Sequence, residues 1–333
     1  GDMSDTVIVT GGAGYVGSHT CKALASAGFL PVTLDDLSRG HVRSVRWGPL
    51  EQVSLLDREG LARTLAKWRP VAVMHFAALA SVPESLLDPA AYWRVNVVGT
   101  LELLDAMSRA GVARLVYSSS CAVFGTPDVL PVSELTPQRP TSPYGETKLA
   151  AERMLHHFDA AHGLRSVSLR YFNAAGADHD NEIGESHDPE THLIPTAIAA
   201  ALHGGPALTI HGDDWPTPDG TCIRDYVHVS DLARAHVASL RYLEAGGPST
   251  RINLGTGIGL SVLEVLSAVE RAVGVAVPHR VGPRRAGDPA ALVADPQQAK
   301  LVLGWVPEFT SQIVPTAVAW AKSGQGATDV RRG

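Results

Sequence analysis

Thr6-Val7-Ile8-Val9-Thr10, a short β-branched run, leads straight into Gly11-Gly12-Ala13-Gly14-Tyr15-Val16-Gly17, and nothing else in the chain restricts the fold so tightly. The run reads as a buried parallel strand. A segment of helical periodicity follows, holding Cys21, Leu24 and Ala25 and stopped by Gly28. Leu30-Pro31-Val32-Thr33-Leu34 makes a second strand, with Asp35-Asp36 at its end. Together these form a βαβ unit. The glycines let the chain turn tightly and let the backbone approach a pyrophosphate seated on the helix N-terminus. Asp35, eighteen positions beyond Gly17, can accept hydrogen bonds from both hydroxyls of an adenosine ribose. Its charge repels a 2′-phosphate, so NAD is expected rather than NADP, a preference that Arg39 and Arg43 nearby weaken. The spacing is G-x-x-G-x-x-G, not the G-x-G-x-x-G of most dinucleotide folds. Glycines alone are common between strand and helix; strand, glycines, helix, strand and acid in register carry the argument.

Val71 to Phe76 reads as a further buried strand, leading to Ala77-Ala78-Leu79, small enough for a flat ligand to come close. A long helix is expected from about Asp88 to Ala110, with Asn96 inside it and Gly111 as its stop. Arg114 to Ser118 gives another strand, ending in Ser118-Ser119-Ser120-Cys121. Pro140 to Lys148 then opens a helix running to about His162. Tyr144 and Lys148, four apart, share a face of that helix. A cation at that distance favours the phenolate and is expected to lower the tyrosine's pKa toward neutrality. Such a tyrosine can exchange a proton with an alcohol whose hydride is leaving. Tyr and Lys at this spacing also occur by chance on many helices; their place beyond a complete dinucleotide-binding unit is what gives the pair meaning. A serine hydroxyl beside it, with Ser120 the candidate, is expected to orient the same oxygen.

The 333 residues, 45% hydrophobic and 19% charged, suffice for one large domain or two closely joined ones. A net charge of −6 favours no long anionic partner, so nucleic acid is not expected. No apolar run approaches the ~20 residues of a membrane span. Gly1-Asp2 before Met3 reads as an expression scar, and the start lacks the features of a signal peptide. Three scattered cysteines, Cys21, Cys121 and Cys222, make neither a disulfide framework nor a zinc site and suggest a reduced, cytoplasmic protein.

The glycine motif, the serines at a strand end and Tyr-x-x-x-Lys resemble the extended short-chain dehydrogenase/reductases, and within them the UDP-glucose (UDP-galactose) 4-epimerases. The resemblance runs from Val7 to about Trp305; its most specific stretches include Thr10–Cys21, Ser142–Lys148, Leu169–Asn173, Asp219–Val229 and Pro283–Asp288. It implies an isomerase in which NAD removes hydride from sugar C4 and returns it to the opposite face of a transient 4-keto sugar. Tyr144 would be the acid/base, Lys148 would bind the nicotinamide ribose and tune it, and Ser120 would touch the sugar hydroxyl. The resemblance places Gly11, Gly14, Tyr15, Val16, Gly17, Asp35, Leu56, Phe76, Ala77, Ala78, Asn96, Ser118, Tyr171 and Phe172 around NAD, with Tyr144 and Lys148. Asn173, His192, Leu193, Arg224, Arg285, Asp288 and Leu292, with Ser120 and Tyr144, would hold the UDP-sugar, the arginines being suited to phosphate and uridine. A homodimer through helices at about 88–110 and 144–162 is the family expectation.

Other members of the family that eliminate water or decarboxylate carry acidic residues just after the strand-end hydroxyl. Here Cys121, Ala122 and Val123 stand there, which argues for epimerisation. Departures from the pattern bear on specificity. Leu55 stands where many relatives hold adenine with an Asp, Ala80 where some have a lysine, and His192 where an Asn often meets substrate. Leu292 is intermediate between the bulky and small residues linked to excluding or admitting N-acetyl sugars. Ser120-Cys121-Ala122 and Asp188 to Leu193 resemble a branch with UDP-arabinose 4-epimerases, so UDP-arabinose/UDP-xylose and UDP-N-acetylhexosamine stay open as substrates. A net oxidoreductase releasing NADH and a non-catalytic NAD-sensing protein are the rival functions. The polar run from Asp178 to His192 shows no tight ligand spacing and is read as a solvated flap, with no metal. Cys121 is read as a small buried thiol, not a nucleophile.

The expected architecture is α/β: a doubly wound parallel sheet of Rossmann type with a smaller C-terminal substrate-binding domain. The limits are 3–173 plus about 228–255 for the NAD-binding domain, and 174–227 plus about 256–333 for the UDP-sugar-binding domain.

Overall fold

The computed structural model describes residues 4–326. Positions 1–3 and 327–333, which include the Gly1-Asp2 start and the outer ends of the expected domain limits, lie outside the described residues. The first βαβ unit has the expected bounds: β1 (Thr6–Thr10), α1 (Tyr15–Ser26) and β2 (Leu30–Leu34), with Gly28 in the left-handed region at φ +91°. Next come β3 (Leu50–Glu51), α2 (Arg58–Trp68), β4 (Ala72–His75), α3 (Val82–Leu87) and α4 (Pro89–Tyr92). The chain continues with α5 (Gly99–Ala110), β5 (Arg114–Ser120), α6 (Pro143–His162) and β6 (Arg165–Tyr171). β5 runs two residues further than the strand expected from the sequence, carrying the serine row up to Ser120.

The expected single helix over 88–110 is in fact α4, a π-helical segment at Trp93–Val98, and α5. A π turn takes up an extra residue and turns the side chains that follow it around the axis; such segments are often found at functional sites. Here it carries Asn96 to the junction with α6. Its amide donates to Leu79 O (3.0 Å) and Thr147 Oγ1 (3.1 Å) and accepts from Leu79 N (2.9 Å). One side chain thereby ties the loop after β4 to the helix carrying Tyr144.

The main sheet has seven strands, all parallel, including β10 (Thr250–Leu254), in the order β10-β6-β5-β4-β1-β2-β3. Parallel strands buried on both faces read as continuous apolar runs, and Val7, Ile8 and Val9 are fully buried. One face packs α2, α5 and α6 through Leu61, Leu65, Leu103, Leu104, Met107, Ala151 and Leu155. The other packs α1 and α8 (Val229–Glu244) through Cys21, Leu24, Leu232, Ala235 and Leu240. The strand order reverses between β1 and β4, and ligands of such sheets bind outside the carboxyl ends of strands at that point.

A second core lies beyond this sheet, built on α7 (Leu193–His203), α9 (Val262–Val273) and α11 (Ile313–Ser323). Its central strand β9 (Ile223–His228) pairs with β7 (Asn173–Ala175), β11 (Gly259–Ser261) and β13 (Ala291–Leu292). β8 (Leu208–His211) and β12 (His279–Gly282) form a separate pair, and α10 (Gln297–Leu303) returns to the first core. Segment 228–255 leaves the second core, packs α8 on α1 and adds β10 to the edge of the main sheet. Among the described residues no helix is long and apolar enough to cross a membrane.

Candidate active site

At the switch point Gly11, with φ +70°, lies so close to the loop after β4 that a Cβ would stand 2.7 Å from Ala77 N. A Cβ on Gly17 would lie 2.2 Å from Gly11 O, so the helix and its turn can meet only as glycines. α1 then starts at Tyr15 with no side-chain cap and no acidic residue in its first turn. Helix geometry leaves its first N–H groups without partners inside the helix, and their partial positive charge suits a pyrophosphate. Asp35 follows β2 at 8% exposure, its carboxylate held by Ala13 N (3.1 Å) and Leu37 N (2.9 Å). Burial pushes its pKa up and the two N–H donors pull it back. The remaining lone pairs are available to ribose hydroxyls. Arg39 and Arg43 turn elsewhere, to Glu84 (2.9 Å) and to Ser186 Oγ (3.0 Å), so the expected weakening of the preference for NAD finds no contact. The residues present fit a dinucleotide.

β4 ends in His75, whose ring is clamped by Thr10 Oγ1 (2.6 Å) and Thr100 Oγ1 (2.9 Å) and whose pKa burial lowers to about 3. Phe76 N and Ala77 N donate to Thr10 Oγ1 at 3.1 and 3.2 Å, which fixes the loop that passes through Ala78. Tyr15 donates to Gly176 O (2.5 Å), tying the glycine turn to the second unit, while Val16 packs on the first core. Leu55 is core; Leu56 beside it is exposed.

α6 is started by Ser142, which caps Gly145 N (3.1 Å), and by Pro143. Lys148, 3% exposed, donates to Ser118 O (2.8 Å) and stands 5.1 Å from the Tyr117 ring centre and 5.9 Å from that of Tyr144. Ser120 accepts from Ala122 N (3.0 Å) and draws the Tyr144 pKa down. Burial outweighs it and pushes Tyr144 up to about 12, and burial drops Lys148 to about 7. The expected shift of Tyr144 toward neutrality is therefore reversed in the protein alone. Desolvation penalises the charged form of both groups, and a lysine near neutral pKa is too weakly charged to compensate. A full positive charge beside the phenol would restore the expected direction.

Four positions carry duties the sequence did not reveal. Glu152, one turn beyond Lys148, is buried against Arg170 (2.7 and 3.1 Å) and Ser119 Oγ (2.5 Å). Its charge raises the Lys148 pKa, opposing burial. The i, i+4 continuation from Tyr144 through Lys148 to Glu152 was the available signal. Tyr171 bonds His236 of α8, a buried neutral histidine whose ring centre lies 4.5 Å from that of Phe76. Nothing local marks that contact, which joins positions 65 apart. The ring of Phe172, a residue expected at NAD, packs with Val123, Phe124 and Leu149, and its N–H donates to Leu254 O (3.2 Å). Asn96, likewise expected at NAD, spends its amide on Leu79 and Thr147.

On the second unit Arg224 and Leu292 are register partners on β9 and β13, and Asn173 begins β7. Leu292 is buried with Phe124 and Phe172. Arg224 donates to Ile223 O (2.8 Å), and Arg285 pairs with Asp288 (3.0 Å) in the exposed loop before β13. Leu193 opens α7 directly after His192, which is drawn to Glu190 (2.9 Å). The Cys121 thiol is pushed up to about 12 by burial, so it is no thiolate at neutral pH.

Residues 7–255 match the family described as NAD dependent epimerase/dehydratase. A UDP-glucose 4-epimerase of Rhizobium leguminosarum bv. trifolii is 50% identical over 323 residues, covering 96% of this chain and 99% of its own. A UDP-glucose 4-epimerase of Brucella ovis, solved in complex with NAD, matches at TM-score 0.93 and 51% identity over 95% of this chain and 98% of that one. Another, from Stenotrophomonas maltophila with bound NAD and formylated UDP-arabinopyranose, matches at TM-score 0.94 and 39% identity, covering 97% and 100%.

Proposed function

Because the chain belongs to the NAD dependent epimerase/dehydratase family, we infer that it is an NAD-dependent isomerase interconverting UDP-glucose and UDP-galactose through a transient 4-keto sugar. The observation that carries the reading is the Tyr144 phenol paired with the Ser120 hydroxyl at the end of β5, with Lys148 one helical turn away. Bound NAD supplies a hydride acceptor for sugar C4 and a donor for the return, so no net oxidation results. Tyr144 Oη takes the 4-hydroxyl proton as the hydrogen leaves C4 and gives it back when C4 is reduced from the other face. Ser120 Oγ holds the same oxygen. Lys148, anchored on Ser118 O and 5.9 Å from the Tyr144 ring centre, is our candidate for holding the nicotinamide ribose and, when charged, for favouring the phenolate.

Elimination of water needs a second acid/base pair, and this site has none to spare. Ser120 is followed by the 3₁₀ turn Cys121–Phe124, without a carboxylate, and Glu152 is occupied by Arg170 and Ser119. Asn173, Arg224, Arg285 and Asp288 are our candidates for the UDP-sugar contacts. We also propose a homodimer, supported by the exposed Leu86, Leu87, Trp93, Val98 and Leu101 on and around α3–α5. A cytoplasmic location is proposed from three cysteines that are all free. The test is incubation with UDP-galactose, UDP-N-acetylgalactosamine and UDP-arabinopyranose separately. Formation of UDP-glucose without accumulating NADH is expected with the first; inactivity on all three would reject the reading.

A further inference from the structure

The flap between β7 and α7 folds into something its sequence does not announce. Glu185, His187, Glu190 and His192 bring one donor atom each into a group whose members all lie within 4.8 Å of one another. His187 Nδ1 is 3.2 Å from Glu185 Oε2 and 3.3 Å from Glu190 Oε2. His192 Nδ1 is 2.9 Å from Glu185 Oε2 and 2.9 Å from Glu190 Oε1. Each Nδ1 carries at most one hydrogen, yet each faces two carboxylates from different residues. Four close contacts therefore share at most two N–H groups. Glu185, whose side chain is 8% exposed, competes with Glu190 for the same two nitrogens.

We propose that these four residues bind one borderline divalent transition-metal ion, with zinc as the ion the donor set fits. Two imidazole nitrogens and two carboxylate oxygens are common zinc ligands, and bonds of about 2.0–2.2 Å put tetrahedral neighbours roughly 3.3–3.5 Å apart. The observed separations are at or slightly below that edge. Two carboxylates balance a 2+ charge, and the set holds no thiolate that would draw a softer ion. The surroundings hold the ligands in place. Trp320 Nε1 donates to Glu185 O (3.1 Å), and Gly184 lies flat under that indole, where a Cβ would meet it at 2.4 Å. His41 bonds Ser186 O (2.9 Å), and His192 stands at the start of α7. The nearby trio Asp178, Asp180 and Glu182 lacks this character: Lys22 Nζ already stands 2.8 Å from each of the three. Tyr15 of the glycine turn meets the His187 ring edge-on at 6.0 Å, so the metal would lie beside the cofactor cradle. It reassigns His192 from the sugar to the ion.

The decisive measurement uses the whole chain without a polyhistidine tag, stripped with a chelator and titrated with Zn2+ by calorimetry. Metal content is then read by mass spectrometry after gel filtration. One zinc per chain is expected, and Co2+ in its place should show the visible bands of a tetrahedral site. Glu185→Gln and His187→Gln should each weaken zinc binding by more than about 10-fold, the lower end of what outer-shell changes alone cost. His157→Ala, on the exposed face of α6, should leave it unchanged. Circular dichroism of the metal-free variants checks that they fold. No stoichiometric uptake by the unaltered chain, or uptake indifferent to both ligand changes, overturns the proposal. The readout is binding, so either result leaves the epimerase reading where it stood.

Discussion

Gly145 packs so closely on Ala122 that a Cβ at position 145 would stand 2.5 Å from the Ala122 carbonyl oxygen. That contact sets α6 against the turn after β5 and so sets Tyr144 against Ser120. Gly145→Ala should push the helix outward at a cost of about 1–3 kcal/mol in stability. A displacement of ~1 Å can cost about 100-fold in rate. Urea unfolding and kcat measured together check this; an unchanged kcat would show that the close approach is not what positions the phenol.

Tyr144→Phe keeps the ring and removes the proton-carrying hydroxyl together with its bond to Ser120. Turnover should fall by at least ~3 kcal/mol of transition-state stabilisation, more than about 100-fold, while NAD remains bound. Kinetics with UDP-galactose and the cofactor content of the purified variant decide it, and near-normal turnover would sink the assignment.

Glu152 is paired with Arg170, the two side chains 0% and 1% exposed. Glu152→Gln leaves the guanidinium buried without its counter-charge and should cost about 3–5 kcal/mol. Denaturant unfolding measures it. Loss of the Glu152 charge that raises the Lys148 pKa also predicts a shifted pH–rate profile in the folded fraction.

Asp35→Asn keeps the shape and removes the charge at the proposed ribose site. A charge-assisted hydrogen bond contributes about 1.5–3 kcal/mol, so NAD affinity should fall by ~10-fold or more and discrimination against NADP should shrink. Titration of the stripped protein with each dinucleotide is the check.

Acid should destabilise the fold earlier than carboxylate chemistry requires. Burial lowers His19 to about 4 and His75, His228 and His236 to about 3, against an ordinary value of 6.5. These groups take up protons on unfolding before they do so in the native state. Their contribution is complete above ~6.5 and is lost as pH falls toward the folded values, up to about 1.4 kcal/mol per pH unit for each. Unfolding midpoints flat between pH 7 and 5 would contradict this.

The features legible along the chain are local or periodic. The strand–glycine–helix–strand unit, the acid after β2 and the i, i+4 spacing of Tyr144 and Lys148 need only neighbours along the chain, because helix and strand repeats dictate which side chains share a face. What tertiary structure decided depends on burial and on pairs far apart. The π segment that turns Asn96 inward, the Phe172 ring drawn into an apolar cluster, the Tyr171–His236 contact and the Glu152–Arg170 pair are all of this kind. So is the upward pKa of Tyr144, since spacing supplies a nearby lysine but only packing removes the water that would let either group hold its charge.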